Sequence, residues 1–504
     1  MSNAADPFAP QASDGLARVA HLIQASGLEL VRFAWCDAHG MLRGKTLTAS
    51  AAVKALHSGV GMVSTLMLKD TSDRTAFKVF EPTIAQDLPG FEYANNLLLH
   101  PLADSFKVLP WADKTGWLQC QPVFQNGTSV QHLKGTLVPY DTRRQLQHAL
   151  AQLAQHGWGM VCGLEIEFHI YRLQDPLHGH DLHPEHADWP GSAPDVSLIH
   201  PGYNLLSENW FDQAEAPLRI VQRTAQALGL PLSSLEIELG PSQVEAVFEA
   251  TDALTAADNM VLFRSAVKQA LRRAGYHATF MCRPPFEHIM SSGWHLHQSL
   301  VDVTTGRNLF MREAAANQTQ PHHAQHTLSD LGTHYLAGLL QHAQGMTLMC
   351  TPTANGFGRF RPNALAPQAI LWGRDNRGAM LRVIGAANDP ATRIENRLGE
   401  PAANPYLDMA SQIHAGLRGI VQGLVPPLAT ESPYADTSQQ EAHTRIPSNL
   451  HEAMQALHND EAMCQGFGPD FVRYYTRLKA AEHQRFEAAE DKIEFQRREY
   501  FSRL

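Results

Sequence analysis

The sequence has no CxxC pair: its 6 cysteines, Cys36, Cys120, Cys162, Cys282, Cys350 and Cys464, stand far apart. A disulfide framework is therefore not expected, and the thiols read as buried residues of a cytoplasmic protein. No apolar run is long enough to cross a bilayer, which argues against a membrane partner. Nor is there a basic excess. A formal charge of −10, with neither a basic patch nor an aromatic platform, argues against nucleic acid or an anionic membrane surface. Residues 1–15 lack a basic start and an apolar block, so they read as a loose tail and not as a signal peptide. Internal repeats are also missing. What is present is ordinary for a globular chain: 504 residues, 44% hydrophobic and 18% charged, sufficient for two or more domains with a large core.

The patterning places a short helix at Leu16–Ala25, then a hairpin of Leu28–Trp35 and Met41–Thr46 turned by Asp37-Ala-His-Gly40. Short strands at Asn96–Leu102 and Gly116–Gln121 complete a small α+β unit over 16–130, and the polar stretch Gln125–Gly135 makes a boundary. Asp141 reads as the N-cap of a helix whose apolar face is Leu146, Ala149, Leu150 and Leu153, with Gly157 as its stop. Strands follow at Leu235–Leu239, Val244–Phe248, His277–Cys282 and Trp294–Leu300. Helices are expected at Asp252–Ala274, Leu328–Ala343, Pro405–Val421 and from Asp470 onward, which gives a large antiparallel-rich α+β domain over 137–504. His178, His180, His183 and His186 lie in a loop that reads as solvated, with a metal-binding tract as the alternative.

Gly163–Tyr171 alternates Leu164, Ile166 and Phe168 with Glu165 and Glu167, so it reads as a strand with both carboxylates on one face. A solvated charged face would explain that stretch taken alone. Glu238, Glu245 and Glu395 also occupy strand-like positions, and His295 shares a face with His297. Oxygen ligands with one imidazole suit Mg²⁺ or Mn²⁺, and such a cluster buried without cations would be unfavourable. Arg359, Arg377, Arg382, Arg393 and Arg397 form a basic group. Singly each reads as a surface or ion-pair residue. Alongside the acids, their guanidinium forks point to metal-assisted phosphoryl transfer.

These segments carry a resemblance. Gly163-Leu-Glu-Ile-Glu-Phe resembles the E-x-E strand of the glutamine synthetase family, and Glu238-Leu-Gly-Pro-Ser-Gln-Val-Glu245 its E-x-x-x-G-Q-x-E segment. Ser292-Gly-Trp-His-Leu-His-Gln-Ser299 resembles its G-S-G-x-H-x-H-x-S segment, and Arg393-Ile-Glu-x-Arg397 with Pro401-Ala-Ala-Asn-Pro-Tyr406 closes the match. The resemblance implies an α+β fold: a small N-terminal β-grasp domain and a large catalytic domain whose curved antiparallel sheet is flanked by helices. It implies Mg²⁺ or Mn²⁺, two or more per site, held by Glu167, Glu238 and Glu245 and by Glu165, His295 and Glu395. Arg359 and Arg397 would bind the carboxylates of glutamate, with Gly293, Ser291 and Leu365 also at the substrate. Arg377 and Arg382 would face the transferring phosphate, with Arg359 and Arg377 as the catalytic arginines. His297, Ser299 and Arg393 would lie on the ATP side. The implied reaction phosphorylates the γ-carboxylate of glutamate, after which an amine displaces phosphate. Assembly into a ring-shaped decamer or dodecamer, with sites shared between neighbours, is implied as well.

The departures are on the ammonia side. The flap that reads like R-L-V-P-G-Y-E-A-P in the family is here Arg359-Phe-Arg-Pro-Asn-Ala-Leu365-Ala-Pro367, so its Glu is Leu365. The N-terminal D-G-S-S loop corresponds to Gly61–Leu66, which has no acid, and an Asn-Gly pair is Met290-Ser291. A nucleotide-side Lys falls at Pro390. Losing both acids removes the ammonium trap and the obvious base. The pattern resembles the branch making γ-glutamyl amides of larger amines: polyamines, alkylamines or anilines. Leu365 and Met290 tilt the reading toward aromatic or short alkyl amines, while Asp70 and Glu287 leave a polyamine open. True glutamine synthetase and a non-catalytic scaffold are the remaining alternatives.

Overall fold

The computed structural model describes residues 13–125, 133, 135–174, 187–314, 323–361, 365–433 and 445–504. The His178–His186 tract and most of the Gln125–Gly135 stretch lie outside them. The described residues build two sheets. The first holds β1 (Leu30–Cys36), β2 (Leu42–Thr48), β3 (Val60–Val63), β4 (Asn96–Pro101), β5 (Lys107–Val108) and β6 (Thr115–Phe124). Its order is β2-β1-β6-β4-β3, with β5 beside β6, and β1 runs parallel to β6. The expected hairpin is β1–β2, antiparallel from Leu30↔Thr48 to Cys36↔Leu42. The first helix begins at Ser13, earlier than its apolar pattern indicated.

The second sheet has nine strands. These are β7 (Trp158–Leu173), β8 (Val196–Leu198), β9 (Leu232–Ile237), β10 (Gln243–Asp252), β11 (Tyr276–Thr279), β12 (Trp294–Asp302), β13 (Trp372–Arg374), β14 (Leu381–Ile384) and β15 (Arg393–Gly399). The order β13-β14-β15-β12-β7-β10-β9 puts the Glu165/Glu167 strand near the middle, with β8 and β11 also paired to it. Every pairing in this sheet is antiparallel except β13–β14.

The pleat of β7 separates chemistry from core. Leu164, Ile166 and Phe168 are buried on one face. There Phe168 stacks on Phe280 at 4.9 Å and meets Phe263 of the Ala253–Arg273 helix edge-on at 6.1 Å. Glu165 and Glu167 project to the other face. Asp252 caps that helix by accepting from Thr255 N, as its position before the apolar run predicts.

Asp141 caps the Thr142–Ala154 helix by accepting from Arg144 N, and its other oxygen accepts from Trp35 Nε1 at 3.1 Å. One carboxylate thus ties the first sheet to the second unit. Arg264 strengthens the junction, donating to Gly40 O of the hairpin turn and to Pro401 O and Ala403 O.

Several elements differ from the sequence reading. The strand expected at Leu235–Leu239 stops at Ile237, leaving Glu238 in the turn that follows. Ser242, at the glycine position of the family segment, closes this turn with φ 59°, and a left-handed residue cannot continue a strand. The helix expected to Ala343 pauses at His342 and resumes as Ala343–Cys350. Helices Glu215–Ala227, Leu450–Asn459 and Glu461–Phe467 were not anticipated. In the first of these Pro217 sits in the opening turn, where no intrahelical N–H is needed. The C-terminal helix runs Pro469–Ala488 and is followed by a capped turn at Lys492–Gln496. No helix among the described residues is long and apolar enough to cross a membrane.

Candidate active site

Strand register assembles the acids. Glu245 pairs with Glu167 on one side and with Glu236 on the other, and His295 pairs with Glu165. Glu395 pairs with His297 on β12 and with Arg382 on β14. Like charges directly opposite one another on a sheet are destabilising, so this face is built for counter-ions. Glu236 belongs to the same row and was not picked out from the sequence, although it lies two residues from Glu238.

Ligand atoms of Glu167, Glu238 and Glu245 all lie within 4.8 Å of one another, as do those of Glu165, Glu245 and His295, and those of Glu165, His297 and Glu395. The first group is one of the expected ligand sets; the other expected set, Glu165, His295 and Glu395, is divided between the second and third groups. Its electrostatics fit a cation: burial, Glu167 and other nearby carboxylates push Glu238 and Glu245 well above the usual carboxyl range. On the second side, His295 Nδ1 is 3.4 Å from Glu165 and 3.8 Å from Glu395. Burial and the Arg397 charge hold His295 below its ordinary pKa, which keeps the imidazole in its neutral, ligating form. Burial raises Glu165, but the imidazoles of His295 and His297 outweigh it and hold the carboxyl well below its usual range.

His297 is placed differently from His295. Its Nδ1 accepts from Arg393 Nε at 3.0 Å, which puts the ring proton on Nε2, and Nε2 stands 2.9 Å from Glu165 Oε1. Despite that approach, Nε2 has no aligned hydrogen bond among the described residues. His297 also lines a cavity of about 320 Å³ with Gly163, Glu165, Ser299, Asn308, Pro390 and Arg393. Three of the residues expected on the nucleotide side, His297, Ser299 and Arg393, therefore share one wall. Asn308 braces it by donating to Pro390 O and Thr392 O.

The arginines divide. Arg382 is salt-bridged to Glu395 at 3.0 Å and to Asp375, and Arg397 to Glu395 at 2.5 Å. Arg397 Nη2 also donates to Leu365 O, while its buried Nε has no partner. Arg359 is buried, with Nη1 donating to Gly399 O and Nη2 to Arg397 O. Arg377 is exposed in the turn after β13 and makes no hydrogen bond or ion pair among the described residues. Burial raises Glu395, yet His295, Arg397, His297 and Arg382 together hold it below its usual range.

Gly293 N donates to Glu167 Oε2 at 2.8 Å. Gln243 adds a second restraint: its Nε2 donates to the same oxygen, to Ser291 O and to Ser292 Oγ, and its Oε1 accepts from Gly240 N. Sequence reasoning quoted Gln243 within a motif without assigning it a part. Leu365 is exposed, with φ 51°, and residues 362–364 of its flap lie outside the described ones. Asp70, one candidate for holding a cationic amine, is buried and ion-paired to Arg485 at 2.9 Å, so it is already committed.

Comparison with known proteins agrees with this arrangement. Residues 139–498 match the glutamine synthetase catalytic domain. A γ-glutamylanilide synthase from Acinetobacter sp is 37% identical over 97% of this chain and 96% of its own length. A glutamine synthetase from Clostridium saccharobutylicum is 29% identical, covering 92% of this chain and 94% of its own. The solved structure of GmaS with ADP is similar with TM-score 0.72 and 26% identity, covering 95% of this chain and 98% of that one. The chain belongs to the glutamine synthetase family and is an ATP-dependent carboxylate–amine ligase within it.

Proposed function

We propose that this chain joins the γ-carboxylate of glutamate to an amine other than ammonia, with an aromatic or short alkyl amine as the acceptor, through a γ-glutamyl phosphate. The observation that carries the reading is a carboxylate–imidazole cluster beside a flap with Leu365 where ammonia-using members have Glu. Asp70, one of the two acids that left a polyamine open, is locked onto Arg485, while the other, Glu287, is exposed. Greater similarity to a γ-glutamylanilide synthase than to a glutamine synthetase supports it.

Glu167, Glu238 and Glu245, and Glu165, His295 and Glu395, would hold Mg²⁺ or Mn²⁺. Bound there, the ions neutralise phosphate oxygens as charge gathers on them. On the nucleotide side Arg393 fixes His297, and Ser299 completes the wall. Arg382, anchored by Asp375 and Glu395, lies at the transferring phosphate, and exposed Arg377 is free to close on it. Arg397 offers its unpartnered Nε to the reacting carboxylate, while Arg359 packs against Gly293. An aromatic amine, neutral at pH 7, needs no base to uncover its lone pair, which is consistent with the lost acids and favours it over an alkyl amine. A cytoplasmic ring of identical subunits, with a β-grasp domain over 16–130 and a catalytic domain over 137–504, completes the proposal.

The test is phosphate release from ATP with Mg²⁺ and glutamate, supplied with aniline, isopropylamine, putrescine or ammonia. Turnover highest with an apolar amine supports the reading. Turnover chiefly with ammonia or putrescine removes it.

A further inference from the structure

Glu165 lines the nucleotide-side cavity, and Glu167 lies one pleat further from it along β7. The loop that hydrogen-bonds Glu167, Ser291–Gly293, therefore marks the side from which acid and amine approach. Two arginines outside the expected site converge here. Arg283 has its backbone pinned by Asn355, with N donating to Oδ1 at 2.7 Å and O accepting from Nδ2 at 3.0 Å. Its Nη1 donates to Ser291 Oγ at 3.2 Å. Arg361 is exposed, and its N donates to Arg359 O at 2.8 Å. A Cβ on Gly358 would lie 3.9 Å from Arg361 Nη2 and 4.0 Å from Arg283 Cδ, so the two side chains flank one spot. Neither guanidinium has a carboxylate partner among the described residues. Burial and the nearby Arg361 charge lower the pKa of Arg283, as expected for unneutralised cations held together.

We propose that Arg283 and Arg361 make the acceptor entrance cationic and thereby set its charge specificity, disfavouring polycationic amines and favouring neutral or carboxylate-bearing ones. This rests on the γ-glutamyl amide reading and narrows it. A dication approaching two unpaired guanidiniums meets repulsion on entry and again when bound, whereas a carboxylate meets a matching fork. Of the expected arginines, Arg359 is spent on carbonyls, Arg382 and Arg397 pair with Glu395 and Arg393 holds His297, while unpaired Arg377 lies in the turn after β13.

The experiment measures kcat/KM at low salt for aniline, putrescine and 4-aminobenzoate with the full chain and with R283M, R361M and R361E. Aniline, being neutral, is the internal reference. The putrescine-to-aniline ratio should rise about tenfold or more in R361E, and the 4-aminobenzoate-to-aniline ratio should fall by a similar factor. Both shifts should shrink as salt is added. A fold defect would change all three amines together, and R283K should retain wild-type ratios. Ratios that ignore the substitutions, or a rise confined to the KM for glutamate, overturn the proposal. Absence of aniline turnover in the wild-type chain would instead sink the γ-glutamyl amide reading beneath it.

Discussion

A Cβ on Gly293 would fall 2.6 Å from Arg359 Nη2, and 3.0 Å from His295 Nε2. Arg359 is held by the carbonyls of β15 and has nowhere to retreat. Gly293→Ala should therefore cost about 1–3 kcal/mol of stability by overpacking. It should lower kcat/KM by at least about tenfold, because Glu167 loses its backbone donor as the loop shifts. Thermal unfolding and steady-state kinetics on the one variant check both.

Gln243→Met keeps the volume at a buried position but removes the amide that orients Glu167. Residues that orient a ligand typically carry about ten- to a hundredfold in metal affinity. Calorimetric titration with Mn²⁺ should show a loss of that size, and unchanged affinity would contradict the part given to Gln243.

Glu238 and Glu245 are pushed up by burial and by the Glu167 charge, so ions must displace protons to bind. Binding should tighten as pH rises, with net proton release visible as a dependence of the calorimetric heat on buffer ionisation enthalpy. Binding without proton release would mean the two carboxylates are already ionised.

Glu400 lies buried beneath the loop leading to Arg359, accepting from Thr353 N at 2.7 Å and Thr353 Oγ1 at 2.8 Å. Burial, with Glu482 nearby, raises it to about 7 against the opposing Thr353 hydrogen bonds and Lys479. The folded chain thus keeps a proton that the unfolded chain loses in the ordinary carboxyl range. Stability should fall as pH rises from that range to about 7, by up to about 3 kcal/mol from this group. Glu400→Gln should flatten that slope, read as melting temperature against pH. A slope identical to wild type would show that the proton is not held there.

Leu365→Glu restores an acid to the flap at an exposed position, so the fold should tolerate it. Ammonia use should rise relative to aniline. No change in that ratio would place amine selection elsewhere.

Much of this was legible because it depends on short periods. The alternation at Glu165/Glu167, the caps Asp141 and Asp252, and the shared face of His295 and His297 are local patterns, and register then brings them together. What was not legible depends on distant backbone. Nothing local tells that Arg359 spends its donors on β15 carbonyls, that Asp70 is committed to Arg485, or that Arg283 and Arg361 both approach Gly358. Glu238 read as part of a strand because its neighbours are apolar, whereas left-handed Ser242 closes a turn there.

The most direct measurement is a competition: the chain is given ATP, Mg²⁺ and glutamate with equal concentrations of aniline and ammonium, and products are resolved by mass. γ-Glutamylanilide is expected as the dominant product, with glutamine minor. Glutamine as the dominant product would contradict this and return the chain to the ammonia-using members of its family.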